Sequence, residues 1–332
     1  MSRLARRIRH MAGPAHFDPR QRTLELAFRG RVARKIRVSL RRSETVLLAT
    51  PRWSAPQRFL EDLALELAVG EPGIGSRTVS FRPARGRPIA EGWQIALRLF
   101  SQLGQPRWVQ SAPGAVADAR GFRLRLAQLL SETEDVLRCP VALLAHDVDS
   151  LPVQVLEDIG QVWADHVAAT GASRRSLLLL SGAPGAKSAL PGFSRLDLLD
   201  YGEDEAVDAL NHDGGPFPKR ALRSLARFTG GVPGIVDAFA ARIADGHTPM
   251  LHPDALLGEL GPVADELRGA VDIACADGLL AERLQRMLSG EPLLEEPELD
   301  DPLRAAGLIR RSHQGPGPMV ELRSPAIAAL VA

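Results

Sequence analysis

Three short stretches are continuously apolar apart from a hydroxyl residue opening the first and third: Thr45–Ala49, Val141–Ala145 and Ser176–Leu180. Short uninterrupted runs of this kind suit strands buried on both faces of a parallel sheet. Thr78–Arg82 reads as a further short strand and Leu196–Leu199 as a weaker fifth. Between them the apolar spacing changes to that of helices. Pro56–Val69 places Phe59, Leu60, Leu63 and Leu67 on one face, and Ile89–Leu103 places Ile95, Leu99 and Leu103 on one stripe. Phe122–Leu137 and Val153–Thr170 are also amphipathic, and Val32, Ile36, Val38 and Leu40 suggest a helix before the first strand. Strands alternating with helices predict an α/β class built on a parallel sheet. From Asp204 the pattern is all-helical: Asp204–Asn211, Pro218–Phe228 and Gly234–Ala244. After a boundary at Pro249–Pro253 come helices over Asp265–Ala276 and Leu279–Leu288, an acidic loop and a helix over Pro302–Leu308. Ile309–Arg311 and Met319–Leu322 then flank a Gly/Pro-rich tip, which reads as a β-hairpin. Helices followed by a hairpin are the plan of a winged helix, and Ala326–Val331 closes the chain.

The first apolar run leads through a short loop into an amphipathic helix. That is where a nucleotide-binding sheet carries its phosphate loop, G-x-x-x-x-G-K-[ST]. Laid on this template, Thr50 stands for the first Gly, Ala55 for the second, Pro56 for the Lys and Gln57 for the Ser/Thr. Pro56 has neither an N–H to donate nor a charge. Trp53 and Ser54 sit inside the loop, where Trp53 is expected to fill the space of a nucleotide; the alternative is an exposed anchor for a partner. Arg52 and Arg58 are the cations left near a phosphate.

Composition is that of a globular protein, 45% hydrophobic and 24% charged over 332 residues. No apolar run reaches the roughly 18 residues of a membrane span, so a cytoplasmic protein without membrane contact is expected. Cys139 and Cys275 are far apart in apolar surroundings and read as reduced core thiols. Net charge is near zero, yet Met1–Arg42 holds 13 Lys and Arg against Asp18 and Glu25, and acids cluster between Glu291 and Asp301. Such asymmetry marks a nucleic-acid or acidic partner at one end, or a solvated face in an Arg-rich chain. The eight histidines show no metal-ligand spacing. No metal site and no G-x-S-x-G nucleophile turn is expected.

Taken in order, these features resemble the AAA+-like ATPases, in particular the signal-transduction ATPases with numerous domains. Phe28-Arg29-Gly30-Arg31 is similar to the F-x-G-R motif before the first helix of that group. Val46–Leu60 sits at its phosphate loop, and Val141–Leu151 resembles its acidic strand. Phe228–Pro233 resembles the G-G-x-P turn of its helical lid through Gly230, Gly231 and Pro233. Leu303–Ile309 resembles the third helix and first wing strand of its winged-helix module. The resemblance covers residues 28–332. It implies a parallel-sheet P-loop NTPase-like core at 28–202 after a basic arm at 1–27, a helical lid at 203–248 and a winged-helix domain at 249–332.

In such a family the acidic strand ends in Asp, which holds Mg²⁺ through water, and Glu, which polarises the attacking water. Here His146 and Asp147 stand at those positions, or Asp147 and Asp149 after a register shift. Imidazole is a poor ligand for Mg²⁺, which prefers oxygen. Ser181 stands at a polar sensor position. Leu180–Ser188 mimics a phosphate loop but is one residue short and has Ala186 where Gly is needed. With Lys, Gly and Ser/Thr lost together, the expectation is a bacterial pseudo-ATPase that is not an enzyme. It takes no ATP or Mg²⁺ as cofactor and serves as a regulatory or scaffold subunit for an effector or an active ATPase. The alternatives are a DNA-binding protein contacting phosphates through its basic arm, Arg304, Arg310 and Arg311, and an ATPase completed in trans through Arg52, Arg58 or Arg174.

Overall fold

A computed structural model describes residues 29–42, 44–70, 75–104, 116, 118–137, 141–170, 177–182, 193–211, 217–247, 249, 252–312 and 318–331. The basic arm, Phe28, Cys139, Arg174, the mimic loop beyond Gly182 and the hairpin tip lie outside the described residues.

Five strands form one parallel sheet: β1 Thr45–Ala49, β2 Gly75–Ser80, β3 Val141–His146, β4 Leu177–Gly182 and β5 Phe193–Asp197, in the order β2-β3-β4-β1-β5. Strand alternation sorts their side chains into two cores. Val46, Leu48, Ala142, Leu144 and Leu179 face α1 (Gly30–Arg41) and α2 (Pro56–Gly70). Leu47, Leu143, Ala145, Leu178 and Leu180 face α3 (Ile89–Gly104), α4 (Ala119–Leu137) and α5 (Val153–Thr170). Both faces are covered, which is why the three apolar runs contain no polar residue at alternate positions.

The remaining helices are α6 Glu203–Leu210, α7 Lys219–Thr229, α8 Pro233–Ala244, α9 Pro253–Glu259, α10 Pro262–Cys275 and α11 Gly278–Leu288. β6 Leu293–Leu294, α12 Pro297–Ala305, β7 Ile309–Ser312, β8 Met319–Leu322 and α13 Pro325–Val331 complete the chain. β6, β8 and β7 make a three-stranded antiparallel sheet in that order. A single apolar cluster runs from Tyr201 to Val331, so the helices after the sheet and the C-terminal hairpin share one core. Among the described residues no helix is long and apolar enough to cross a membrane.

Several expectations shift. The second strand begins at Gly75, not Thr78, and the fifth covers Phe193–Asp197, not Leu196–Leu199. On α3 the buried stripe is Trp93, Ala96, Leu97 and Phe100, one step round from Ile95 and Leu99. Val38 is exposed on α1. The helix placed at Pro302–Leu308 is α12, which starts at Pro297 and carries Pro302 inside it. Its acids Glu298 and Asp300 therefore occupy a helical first turn, not a loop. Cys275 is exposed at the end of α10 rather than a core thiol.

Candidate functional site

The loop between β1 and α2 is pinned at its start. Thr50 donates from its N–H (2.7 Å) and its Oγ1 (2.9 Å) to the Gly182 carbonyl at the end of β4. Ser181 Oγ lies 3.4 Å from Thr50 Oγ1, both side chains buried. Further on, Trp53 and Ala55 adopt left-handed backbone at φ 62° and 46°. Side chains with a Cβ rarely accept this region, and it persists only where surroundings enforce it.

Three donors from distant parts of the chain do the enforcing. Arg323 Nη1 donates to the Arg52 carbonyl. Gly234 N–H donates to the Trp53 carbonyl at 2.8 Å. Arg29 Nη2 donates to the Ser54 carbonyl at 2.6 Å. Arg323 Nη2 also reaches Ser54 Oγ at 3.0 Å. Three successive carbonyls thus point at donors, two of them guanidinium groups. A phosphate cradle has the opposite polarity, with N–H groups converging on the anion.

Arg323 follows β8 and is fully buried; its charge is met by Asp200, at 2.6 Å and 2.9 Å from Nη2 and Nε. Arg29 lies 5.2 Å from the Tyr201 ring centre and 5.8 Å from that of Phe59, within cation–π range. Trp53 is half-buried and turned toward the C-terminal helices. A Cβ on Gly307 would lie 2.9 Å from its ring, and one on Gly234 2.9 Å from its Cβ. Its indole N–H and Arg52 both reach Glu266 of α10. Trp53 is therefore engaged by its own chain and only partly exposed. Gln57 bonds Glu61 on its own helix, and Arg58 pairs with Asp237 of α8 at 2.7 Å. Pro56 opens α2 without an N–H.

At the end of β3, His146 is buried and Asp147 sits in left-handed backbone at φ 58°. The Asp147 carboxylate accepts from His146 Nδ1 (2.9 Å) and Ser80 Oγ (2.7 Å). The His146 hydrogen bond, helped by that from Ser80, overrides desolvation and holds the Asp147 carboxyl below its ordinary value of 3.8. Asp149 faces Arg85 at 3.7 Å. A depressed carboxyl adds stability above its ordinary value and loses it as pH falls through the depressed one. Asp147→Asn is expected to flatten the stability profile below about pH 4. Urea midpoints measured between pH 3 and 7 check this; parallel profiles for the two proteins would contradict it.

The Gly230-Gly231 turn that closes α7 is wedged into the same region. Gly230 and Gly231 are left-handed at φ 60° and 73°. A Cβ on Gly230 would meet the Arg323 carbonyl at 2.5 Å, and Pro233 starts α8 beside Trp53. The arginines singled out for DNA are occupied. Arg304 is 6% exposed and pairs with Glu295 and Asp301, which takes it off the surface. Arg310 pairs with Glu321 at 2.7 Å and reaches the Gly230 carbonyl. Arg311 pairs with Glu295 at 2.9 Å.

The loop after β1 and the Gly230-Gly231 turn therefore meet at one node with Arg323, Asp200, Gly234 and Gly307, the first three of which belong to no motif of the sequence. Arg29 was visible only as part of a motif. The acidic-strand residues lie two strands away from β1. Triphosphate and Mg²⁺ do not fit this donor set: the loop offers carbonyls, Pro56 offers no charge, and Gln57 offers no hydroxyl.

The chain has a P-loop ATPase-like fold. It is similar to the Walker-type ATPase paby2304 of Pyrococcus abyssi, with a TM-score of 0.62 over 91% of this chain and 95% of that one, at 13% identity. Lower scores relate it to the ORC2 protein of Aeropyrum pernix, at TM-score 0.46 and 15% identity over 97% and 96% of the two chains. A signal-transduction ATPase with a tetratricopeptide repeat sensor from Pyrococcus horikoshii scores 0.37 at 10% identity over 90% of this chain and 41% of that one. No protein-family model and no curated protein matches the sequence.

Proposed function

We propose that this protein is an AAA+-like pseudo-ATPase that acts through protein contacts, as a regulatory or scaffold subunit. The observation that carries the reading is the inverted polarity of the loop after β1. Carbonyls of Arg52, Trp53 and Ser54 hold two guanidinium groups and a backbone N–H where N–H groups would have to hold phosphate. Phosphoryl transfer is nearly all positioning and charge stabilisation, so a site that rejects the anion at its first contact has little chemistry left. The parallel-sheet core at 28–202, a helical lid at 203–248 and a winged helix at 249–332 remain the domain division we favour. The order helix, helix, strand, helix, hairpin after Pro262 supports the last of these. The partner is expected to be a protein, an effector or an active ATPase, and the ion-paired state of Arg304, Arg310 and Arg311 weighs against duplex DNA.

Titration with a fluorescent ATP analogue and Mg²⁺ tests the proposal. No saturable binding is expected at dissociation constants below about 1 mM, and no phosphate release above buffer. Mg²⁺-dependent binding tighter than that limit overturns it.

A further inference from the structure

α1 carries a cationic face that the fold does not use. From Gly30 to Arg41 it holds five Lys and Arg and no acid, in a chain that as a whole balances 41 against 40. At 3.6 residues per turn the helix sorts into two sides. Val32, Ala33, Ile36 and Leu40 are buried in the core shared with β1 and α2. Arg31, Arg34, Lys35 and Val38, three and four residues apart, form one exposed stripe, and Arg42 continues it past the helix end.

The neighbours settle which of these charges are free. Arg37 pairs with Glu66, and Arg42 stands 3.6 Å from Glu44. Among the described residues Arg31, Arg34 and Lys35 are in no ion pair or side-chain hydrogen bond. Arg31 has Arg34 and Lys35 as its helical neighbours, and like charges so placed repel. No acid stands in the first turn, where one would offset the helix dipole. The stripe therefore weakens the helix that carries it, and stability gives no reason for it.

The chemistry of the face narrows the occupant. A protein partner would need an apolar or aromatic centre. Val38, 42% exposed, is the only aliphatic side chain on the stripe, and α1 has no aromatic residue. An anionic membrane would need apolar groups to insert, and the other apolar side chains of α1 are buried in the core. Single-stranded nucleic acid is gripped by stacking on aromatic rings, which α1 lacks. What remains is a dense row of phosphates held by charge. Arg31 to Arg42 spans roughly 16 Å, a length of duplex DNA that bears about ten phosphate charges. The sequence before α1 has the same sign, since residues 1–27 hold six arginines against Asp18 and Glu25.

We propose that the exposed face of α1 binds the phosphate backbone of duplex DNA through Arg31, Arg34 and Lys35, without regard to base sequence. The helix has no Asn or Gln with which to read a base edge. The ion-paired Arg304, Arg310 and Arg311 lie on α12 and β7 and take no part. The inference goes beyond the pseudo-ATPase reading and does not depend on it, because binding by charge needs no nucleotide.

The probe is a fluorescein-labelled duplex DNA of about two helical turns, titrated with the full chain and followed by anisotropy between about 50 and 200 mM NaCl. Saturable binding at the lower salt is expected, equal within about twofold for two unrelated sequences. The variant Arg31→Gln/Arg34→Gln/Lys35→Gln removes three phosphate contacts. It is expected to make the slope of log affinity against log salt shallower by about 2.7, and to bind at least about tenfold more weakly at the lower salt. The three side chains are exposed and Gln is a good helix former, so urea unfolding is expected to show a fold no less stable. Lys219→Gln/Arg220→Gln/Arg223→Gln takes the same charge from the exposed face of α7 and is expected to leave affinity and slope unchanged. No saturable binding, an unchanged slope in the α1 variant, or an equal loss in the α7 variant would each overturn the assignment, the last by reducing it to net charge. Tighter binding of duplex RNA, or of vesicles containing phosphatidylserine, would overturn it in favour of that ligand. Mg²⁺-dependent ATP binding would overturn the pseudo-ATPase reading and leave the α1 result standing.

Discussion

Replacing Arg323 by alanine is expected to destabilise the protein by about 3–5 kcal/mol, the range for removing one partner of a buried ion pair. The Arg323 side chain is fully buried and that of Asp200 is 9% exposed. Among the described residues the hydrogen bonds to the Asp200 carboxylate all come from this one guanidinium. Removing it strands the carboxylate and leaves the Arg52 carbonyl and Ser54 Oγ without their donor. Most of the loss should therefore be desolvation of the orphaned charge, not of the arginine's own contacts. The double variant Arg323→Met/Asp200→Leu separates the two, because it removes both charges and keeps the volume. It is expected to recover more than half of the loss, as buried ion pairs exchanged for apolar groups commonly do. Urea unfolding of the two variants measures this. A single-variant cost below about 1 kcal/mol would mean that water replaces the guanidinium freely and that the loop is not clamped.

The same variant bears on function. Arg323→Ala empties the position beside the loop without turning any carbonyl into an N–H donor. Pro56 still lacks charge, and Gly234 and Arg29 still hold the carbonyls of Trp53 and Ser54. ATP binding is accordingly expected to stay absent. That result would support a loop of inverted polarity, and Mg²⁺-dependent ATP binding by Arg323→Ala would instead make the clamp a cover over a working site.

Local patterning made the sheet legible. β1, β3 and β4 are central strands buried on both faces, so each is a short, nearly continuous apolar run. β5 was misplaced because it is an edge strand. Phe193-Ser194-Arg195-Leu196-Asp197 is only partly buried, while Leu198 and Leu199, beyond its end, carry the apolar signal. α12 was misplaced because Pro302 was read as a first helical position when Pro297 already held it. The acids after Pro297 are the first-turn signal that was passed over. The position of the candidate site could be read from the strand–loop–helix pattern, and its missing Lys and Ser/Thr could be read from Pro56 and Gln57. Its closure could not. Arg323 lies 269 residues from Ser54 and is one of 41 lysines and arginines, with no local pattern to set it apart.

Gly231→Ala is expected to match or exceed the cost of losing Arg323. At φ 73° the residue sits in left-handed backbone, where alanine is disfavoured by about 1–2 kcal/mol before any contact is counted. The added Cβ would lie 2.0 Å from the Tyr201 carbonyl oxygen and 3.0 Å from its carbon. Those are backbone atoms, and Tyr201 is itself fixed by a 2.9 Å bond from its N–H to the Gly231 carbonyl. Relief requires moving the chain at Tyr201, whose neighbour Asp200 holds Arg323. The total loss is expected to exceed about 4 kcal/mol, the exceptional end for single substitutions. Because the two changes disturb one connected group of residues, Gly231→Ala should cost less in an Arg323→Met/Asp200→Leu background than in the wild type. Gly269→Ala in α10, where a Cβ meets nothing within 4 Å, is the control. It is expected to stabilise by about 0.5–1 kcal/mol through helix propensity. Equal effects of Gly231→Ala in the two backgrounds would show that the glycine turn and the arginine clamp are independent. They would then not form the single node on which the proposed loss of nucleotide binding is built.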